Sequence, residues 1–119
     1  MLEINMEFRK GILFIRLTGD LNIKTINIFN EEVIPVILKH GLKYIVVNLD
    51  KLDKIDVSGI ETLMNLNELV SRWDGKASLC SVNKSIKNNF TQLDSKFYDA
   101  SDELNALEVF GFWKMKYKI

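Results

Sequence analysis

The sequence predicts an α/β sandwich in which a mixed central β-sheet of about five strands packs with four helices. Short runs with the two-residue period of strands alternate along the chain with longer runs whose apolar residues recur at helical spacing. The first two strand-like runs are joined by a turn and predict an antiparallel hairpin, whereas helices separate the later ones. With 119 residues, the chain is expected to form a single domain over residues 1–119.

The N-terminal elements are predicted to be a hairpin and a helix. Residues 2–8 alternate apolar and polar side chains, as in a half-buried strand, and residues 12–18 are almost continuously apolar. The run Gly19-Asp20-Leu21-Asn22 is expected to end the second strand. Asn22 is a suitable N-cap for a helix that runs to about residue 39 and ends at Gly41.

The middle of the chain predicts a buried strand followed by a second helix. Residues 43–49 are nearly all aliphatic, which is typical of a strand that is covered on both faces. A short acidic loop is expected next, and a helix from Ser58 to about Trp73. This arrangement places Ser58 at a helix N-terminus, where free backbone N–H groups and the helix dipole favour an anion.

The C-terminal part of the predicted core, which extends over residues 12–110, contains smaller elements. A strand is expected at 76–82, a third helix from Asn83 or Ser85 to residue 93, and a short strand at 97–99. A last helix is expected after Ser101 as its N-cap. Residues 111–119 form a locally basic tail that we expect to be solvated.

The apolar arc of the second helix is wider than one face against a sheet requires. Leu66, Leu69 and Trp73 are therefore expected either to be covered by the C-terminal segment or to form an exposed patch for a partner. Asn67 falls within the same arc and is expected to bond to backbone near the sheet edge.

Composition excludes several classes of function. The formal net charge is zero, which argues against nucleic-acid binding because that binding needs a dense basic face. The single cysteine, Cys80, excludes an internal disulfide and a multi-cysteine metal site, and the single histidine, His40, excludes histidine clusters. We expect no metal and no cofactor. No apolar run approaches the roughly 18 residues of a membrane span, and the acidic N-terminus is unlike a signal peptide. We therefore expect a cytoplasmic protein that does not bind membranes.

Ser58 allows two interpretations. The run Ser58-Gly59-Ile60-Glu61 fits a capping box, a structural role worth about 1 kcal/mol that requires no further function. Alternatively, the serine carries a phosphate that switches the binding of a partner. The residues by themselves leave both interpretations open.

Four short matches, in order along the chain, resemble the anti-sigma-factor antagonist family, whose module is the STAS domain. The matching residues are Leu17-Thr18-Gly19-Asp20-Leu21-Asn22 with Thr25, Val46-Val47-Asn48-Leu49, Ile55-Asp56-Val57-Ser58-Gly59-Ile60, and Lys76-Ala77-Ser78-Leu79-Cys80 with Val82. The resemblance covers about Leu2 to Phe110 and implies a STAS-like fold.

The resemblance also implies a non-enzymatic switch. Family members bind an anti-sigma factor that is a serine kinase of the ATP-binding type, and this kinase phosphorylates the serine or threonine of the motif. By position, Ser58 is the phosphorylation site and Asp56 is its neighbour in the motif. A phosphatase would reverse the modification.

The expected partner surface combines the loops that follow the second and third strands with the first turns of the second helix. Such strand ends are where α/β sheets present binding sites. The expected contact residues are Asp20, Asn22, Thr25, Asp53, Lys54, Asp56, Val57, Gly59 and Glu61.

A receiver domain and a constitutive scaffold module are the two competing interpretations. A receiver domain would use Asp50 as phosphate acceptor, but Asp20 stands alone where two acids are needed, and Lys84 follows Asp50 too soon. The alternative that stays open is a STAS-like scaffold module that binds its partner constitutively, with Ser58 only a helix cap.

Overall fold

The computed structural model describes residues 1–91, 98 and 100–110, and these residues form one mixed four-stranded sheet. The strands are β1 (Leu2–Arg9), β2 (Ile12–Leu21), β3 (Tyr44–Ile55) and β4 (Lys76–Cys80), in the spatial order of the chain. β1 is antiparallel to β2, and β2, β3 and β4 are parallel to one another. The predicted hairpin and the mixed α/β class are therefore confirmed.

Two long helices connect the parallel strands. α1 (Ile26–His40) joins β2 to β3, and α2 (Val57–Ser71) joins β3 to β4. Gly41 ends α1 as predicted, since it has a φ of 60° and its N–H donates to the carbonyl of Ile37. Both helices contribute buried side chains to one core on one face of the sheet, so the helices share that face.

The opposite face of the sheet is covered by the C-terminal segment. α3 (Glu103–Ala106) continues as a 3₁₀ helix over Leu107–Phe110. A second core cluster joins these elements to β2, β3 and β4, and its buried members are Ile12, Phe14, Val46, Cys80, Ala106, Leu107 and Phe110. Burial raises the pKa of the Cys80 thiol to about 11, as expected for an unreactive core cysteine.

A polar cluster fixes α3 on the sheet beside this second core. The guanidinium of Arg16 donates to both carboxylate oxygens of Glu103, from Nε at 2.8 Å and from Nη2 at 2.9 Å. Asn48 Nδ2 donates to the same carboxylate at 2.8 Å, and Arg16 Nη1 donates to Glu7 at 2.9 Å. The hydrogen bonds from Arg16 and Asn48 hold the pKa of Glu103 below its ordinary value.

β2 and β3 are longer than the sequence predicted. The expected break after residue 18 and the acidic loop after residue 49 are both in the sheet, because Thr18–Leu21 and Lys51–Ile55 pair in parallel after register shifts. Asn83 supports this irregular stretch, since its Nδ2 donates to the carbonyls of Leu49, Asp50 and Leu52 at 2.8–3.0 Å. Leu21, Leu52 and Ile55 of this extension are buried in the main core, whereas the polar residues between them are exposed or half-buried.

The prediction of a regular third helix is wrong for the part that the structure describes. Only a 3₁₀ turn over Lys87–Phe90 follows Asn83, whose side chain accepts from the amide of Ser85 instead of capping a helix. The predicted strand at 97–99 lies outside the described residues apart from Tyr98. The neighbouring Ala100 pairs with Cys80 in an isolated parallel bridge.

The N-cap of the last helix differs by one residue from the prediction. Asp102, not Ser101, caps α3, because its carboxylate accepts from the amide of Asn105 at 2.8 Å. The predicted tail 111–119 lies outside the described residues.

The wide apolar arc of α2 is covered. Leu66 is buried, and Leu69 and Trp73 pack against the main core, where Trp73 Nε1 donates to the carbonyl of Leu42 at 3.1 Å. The prediction for Asn67 is confirmed, since its Oδ1 accepts from the amide of Ala77 on β4 at 2.9 Å. The neighbours of α2 include α1 and the 3₁₀ turn Lys87–Phe90, and no exposed Leu66–Trp73 patch exists for a partner.

Candidate functional site

The carboxyl ends of β2 and β3 lie side by side at one edge of the sheet. In the parallel register, Asp20 is opposite Lys54, and Leu21 is opposite Ile55. The turns that lead into α1 and α2 therefore start next to each other, although 33 residues of chain separate Ile23 from Asp56. This is the position at which α/β sheets commonly present binding sites.

The turn before α1 is held by side chains as well as by backbone hydrogen bonds, since the Asn22 carbonyl accepts from the amides of Thr25 and Ile26, both at 2.9 Å. Asn22 Oδ1 accepts from the amide of Lys24 at 2.9 Å, and the Thr25 hydroxyl donates to the carbonyl of Asp20 at 2.8 Å. The regular helix begins at Ile26, later than the sequence predicted, and Thr25 directly precedes it without a capping side-chain bond. Asn22 nevertheless makes the two hydrogen bonds of the predicted cap, through its Oδ1 to the amide of Lys24 and through its carbonyl to the amide of Ile26. Thr25 is buried and positions this turn.

Asp56 joins the two turns and caps α2. Its Oδ1 accepts from the amide of Gly59 at 2.9 Å, and its Oδ2 accepts from the amide of Ile23 at 3.1 Å. Its own amide donates to the carbonyl of Leu21 at 3.3 Å. One carboxylate thus fixes the start of α2 relative to the turn before α1.

Ser58 is not the N-cap of α2, so the predicted capping box with Glu61 is wrong. β3 continues to Ile55, which leaves Asp56 as the extended residue before the helix and makes Ser58 the second helical residue. The Ser58 carbonyl accepts from the Thr62 hydroxyl at 2.9 Å. Among the described residues, no group is hydrogen-bonded to the Ser58 hydroxyl itself, which is half-buried at the surface.

Gly59 allows α2 to lie against the end of β2. A Cβ at this position would stand 2.3 Å from the carbonyl oxygen of Leu21 and 2.7 Å from Cγ1 of Ile55. A glycine after the serine is therefore a packing requirement. Gly59 is itself buried, so it affects the site through the packing of α2 and not through contact with a partner.

The remaining predicted contact residues form a surface together with one residue that the prediction missed. Val57 is 72% exposed, and Ile23 in the turn before α1 is 63% exposed. Two large apolar side chains are thus exposed at this edge, Val57 next to Ser58 in the chain and Ile23 in the turn that Asp56 binds. The sequence hinted at an exposed apolar residue here, because Ile23 stands between Asn22 and Lys24 in a polar turn. That Ile23 lies beside Asp56 follows only from the tertiary structure.

We define the Ser58 face as the exposed or half-buried residues at this edge, namely Asp20, Asn22, Ile23, Asp53, Lys54, Asp56, Val57, Ser58 and Glu61. The amides of Val57 and Ser58 precede the first intrahelical bond, which runs from Ile60 to Asp56, so they point out of the helix end. Acidic side chains outnumber the one lysine of this face. The face therefore offers helix amides among four acidic side chains and one lysine, and the exposed Lys24 follows Ile23 at its border.

A family model described as the STAS domain matches residues 3–103. The chain belongs to the STAS domain family. The resemblance that the sequence motifs predicted is thereby confirmed, and Ser58, Asp56 and the turn before α1 lie within the matched residues. No helix in the described part of this STAS domain is long and apolar enough to cross a membrane.

Named relatives of this STAS domain include antagonists of anti-sigma factors. The anti-sigma F factor antagonist of Paenibacillus polymyxa is 28% identical over 85 residues, which are 71% of this chain and 73% of the relative. The protein TM1081 of Thermotoga maritima has a TM-score of 0.78 at 22% identity, over 89% of this chain and 92% of that one. The Bacillus cell fate determinant SpoIIAA in its phosphorylated form has a TM-score of 0.70 at 17% identity, over 91% and 99%.

The same fold also occurs as a part of a larger protein. The murine anion transporter Slc26a9 has a TM-score of 0.66 at 15% identity, over 87% of this chain but only 18% of the transporter. The fold alone therefore does not define the function, which has to be argued from the Ser58 face.

Proposed function

We propose that this STAS domain is an anti-sigma-factor antagonist, a non-enzymatic module that binds an anti-sigma factor of the ATP-binding serine kinase type. Phosphorylation of Ser58 would weaken this binding, and a phosphatase would restore it. The observation that carries the proposal is the Ser58 hydroxyl, which stands at the start of α2 without a hydrogen bond among the described residues. The name of the Paenibacillus polymyxa relative supports the same function.

In this proposal, the kinase and the phosphatase catalyse the phosphorylation and dephosphorylation of Ser58, and this chain is only their substrate. The kinase would transfer the γ-phosphoryl group of ATP to Ser58 Oγ, with loss of the hydroxyl proton and release of ADP, and the phosphatase would hydrolyse the ester with water. This chain has to present the hydroxyl on a fixed scaffold. The cap made by Asp56 and the close packing of Gly59 supply that scaffold without using the hydroxyl.

A phosphate at Ser58 would change the charge of the face more than its shape. It adds nearly two negative charges beside helix amides that favour anions, so the domain is expected to stay folded. Asp56 and Glu61 stand close in sequence and raise the negative potential further. A partner that binds the unmodified face would then meet a strongly acidic surface, which weakens complementary binding.

Apolar contacts would supply much of the affinity for the unmodified face. Ile23 and Val57 are the large exposed apolar side chains of the Ser58 face, and covering them with a partner would remove apolar surface from water. Asn22, Lys54 and the surrounding acids would form the polar rim. Lys54→Glu is expected to weaken binding with little effect on the melting temperature, whereas Asn22→Arg is expected to weaken binding and also to lower the melting temperature, because it removes the hydrogen bond from the Lys24 amide to Asn22.

The scaffold alternative, in which Ser58 acts only as a cap, loses its structural basis because Asp56 performs the capping. Constitutive binding without phosphorylation remains the competing function. An intact-mass measurement on protein purified from its native host separates the two, since only the switch predicts a phosphorylated fraction.

The direct test has two steps. A pull-down from native lysate, analysed by mass spectrometry, is expected to recover a small ATP-binding kinase, and incubation with that kinase and ATP is expected to modify Ser58. Ser58→Ala should remove the modification. Phosphate on the exposed Ser85 with Ser58 unmodified would contradict the proposal. Charge reversal at the exposed Lys87, which is not one of the residues of the Ser58 face, is the binding control.

A further inference from the structure

The apolar side chains of β1 are only partly covered by the described part of the chain. Ile4, Met6 and Phe8 lie on the helical side of the sheet, where Ile4 and Met6 are half-buried against the main core and Phe8 is 58% exposed. Beside them is a groove of about 580 Å³, which we call the β1 groove, lined by Met6, Phe8, Leu13, Val36, His40 and Leu42. Exposed apolar surface of this kind is typical of a site of protein association.

β1 is also an edge strand of the described sheet. Among the described residues it pairs only with β2, without a register shift from Leu2 to Arg9. The amide of Asp20 donates to the carbonyl of Met1 at 2.8 Å, and in an antiparallel ladder the bonds to one neighbour come from alternate residues. The backbone groups of the odd-numbered residues of β1 therefore point to β2, and those of the even-numbered residues, from Leu2 to Phe8, point to the outer edge. A regular edge strand of this kind is a template for another strand.

The outer edge allows few antiparallel registers between two copies of β1. Even-numbered residues have to face even-numbered residues of the second copy, because they carry the outward backbone groups. Two registers of this kind leave only one residue of each β1 unpaired, one centred on Asn5 and one centred on Met6. The register centred on Asn5 places Glu3 opposite Glu7 of the second copy, and like charges that face each other destabilise a sheet.

The register centred on Met6 is complementary on both faces of the sheet. It places the exposed Glu3 opposite the exposed Arg9 of the second copy, and the two-fold axis repeats this pair. On the same face, Arg9 Nε lies 3.5 Å from Glu7 Oε2 of its own chain, so it would bridge two carboxylates. On the helical side, Phe8 faces Ile4 of the second copy, which would remove apolar surface of both from water.

We propose that the outer edge of β1 binds a second copy of this chain, in a symmetric dimer whose β1 strands pair antiparallel about Met6. The two four-stranded sheets then continue as one sheet, and each copy covers part of the β1 groove of the other. Such a contact is closed by its two-fold axis and leaves no free β1 edge. None of the residues of the Ser58 face belongs to β1, so this proposal is independent of the proposed function, and the dimer presents the Ser58 face twice.

Analytical ultracentrifugation of the full-length chain tests the association. We expect a reversible equilibrium between monomer and dimer, because the contact is built from one strand and its neighbouring groove. A chain that stays monomeric at about 1 mM, where even a weak specific contact is populated, would overturn the proposal.

An exchange of charge between Glu3 and Arg9 tests the register. Glu3→Arg alone and Arg9→Glu alone are each expected to raise the dissociation constant of the dimer about tenfold, because each replaces two attractive pairs by two repulsive ones. An equimolar mixture of the two variants is expected to restore association, since every such pair in the mixed dimer joins opposite charges. Arg72→Glu, at an exposed arginine after α2, is the matched control and should leave the dissociation constant unchanged. Single variants that associate normally, or a mixture that associates no better than they do, would overturn the proposal.

Matched substitutions test the β1 groove. Phe8→Asp is expected to remove the dimer, because the carboxylate would be covered by Ile4 of the second copy. Leu104→Asp is expected to keep the dimer, since Leu104 lies on α3 and is similarly exposed, at 56%. Circular dichroism confirms that each variant is folded. Normal association of folded Phe8→Asp, or loss of the dimer in both folded variants, would overturn the proposal.

Discussion

The cluster of Arg16, Asn48 and Glu103 makes the stability of the fold depend on one carboxylate. In Glu103→Gln, the side chain keeps its shape but replaces one acceptor oxygen with a donor NH₂ group. Three donors converge on the carboxylate, two from Arg16 and one from Asn48. Whichever oxygen is replaced, at least one donor then faces another donor, and the charge of the acceptor is lost.

We expect Glu103→Gln to lower the free energy of unfolding by about 1–2 kcal/mol at pH 7. Charge-assisted hydrogen bonds are worth about 1.5–3 kcal/mol when well desolvated, and solvent screening reduces this because Arg16 is partly exposed. Arg16 keeps its hydrogen bond to Glu7 in the variant, so no buried cation is left uncompensated.

The effect of this substitution has a defined pH dependence. The pKa of Glu103 in the folded protein lies below its ordinary value of 4.5, so the carboxylate stabilises the fold above that value. The stabilisation disappears as the pH falls through the lower, folded-state pKa. Urea denaturation of both proteins from neutral to acidic pH should therefore show their difference shrinking below pH 4.5. A difference that stays constant with pH, or that equals the effect of Glu31→Gln on the exposed side of α1, would refute the reasoning.

Three further predictions concern single side chains. Because Asp56 caps α2, Ser58→Ala is expected to change the free energy of unfolding by less than about 0.5 kcal/mol, whereas Asp56→Ala should cost about 1–2 kcal/mol in urea denaturation. The reverse order would show that the cap is misassigned. Gly59→Ala should destabilise by about 1–3 kcal/mol, since the added Cβ would stand 2.3 Å from the Leu21 carbonyl, and an unchanged denaturation midpoint would contradict that packing. Ser78→Ala should raise the midpoint, because the buried Ser78 hydroxyl has no hydrogen-bond partner among the residues that the structure describes, and a loss of about 1 kcal/mol or more would indicate a partner.

The sequence predicted correctly those strands and helix ends whose structure depends mainly on residues that are neighbours in the chain. The alternation in β1, the continuous apolar runs of β2 and β3, and the left-handed Gly41 were all readable because each depends on neighbouring residues. The extension of β2 and β3 was not readable, because it results from pairing between Leu21 and Ile55.

The same limit explains the errors at the candidate site. Asp56 and Ser58 are both good caps two residues apart, and only the end of β3 decides which of them precedes α2. Ile23 was missed because its neighbour Asp56 comes from the other turn. The ion pair of Arg16 with Glu103 joins residues 87 positions apart and leaves no local signal.

Because Asp56 binds both turns, a molecule that competes with the Ser58 face for a partner has to present residues from both of them. Because the carboxylate binds the amides of Ile23 and Gly59 together, the epitope is discontinuous in the chain. A synthetic peptide covering residues 53–64 would contain the serine but lack Ile23 and the support of β2. Such a peptide would be a poor competitor for any protein that reads the assembled face, so an inhibitor of that contact has to reproduce two chain segments at once.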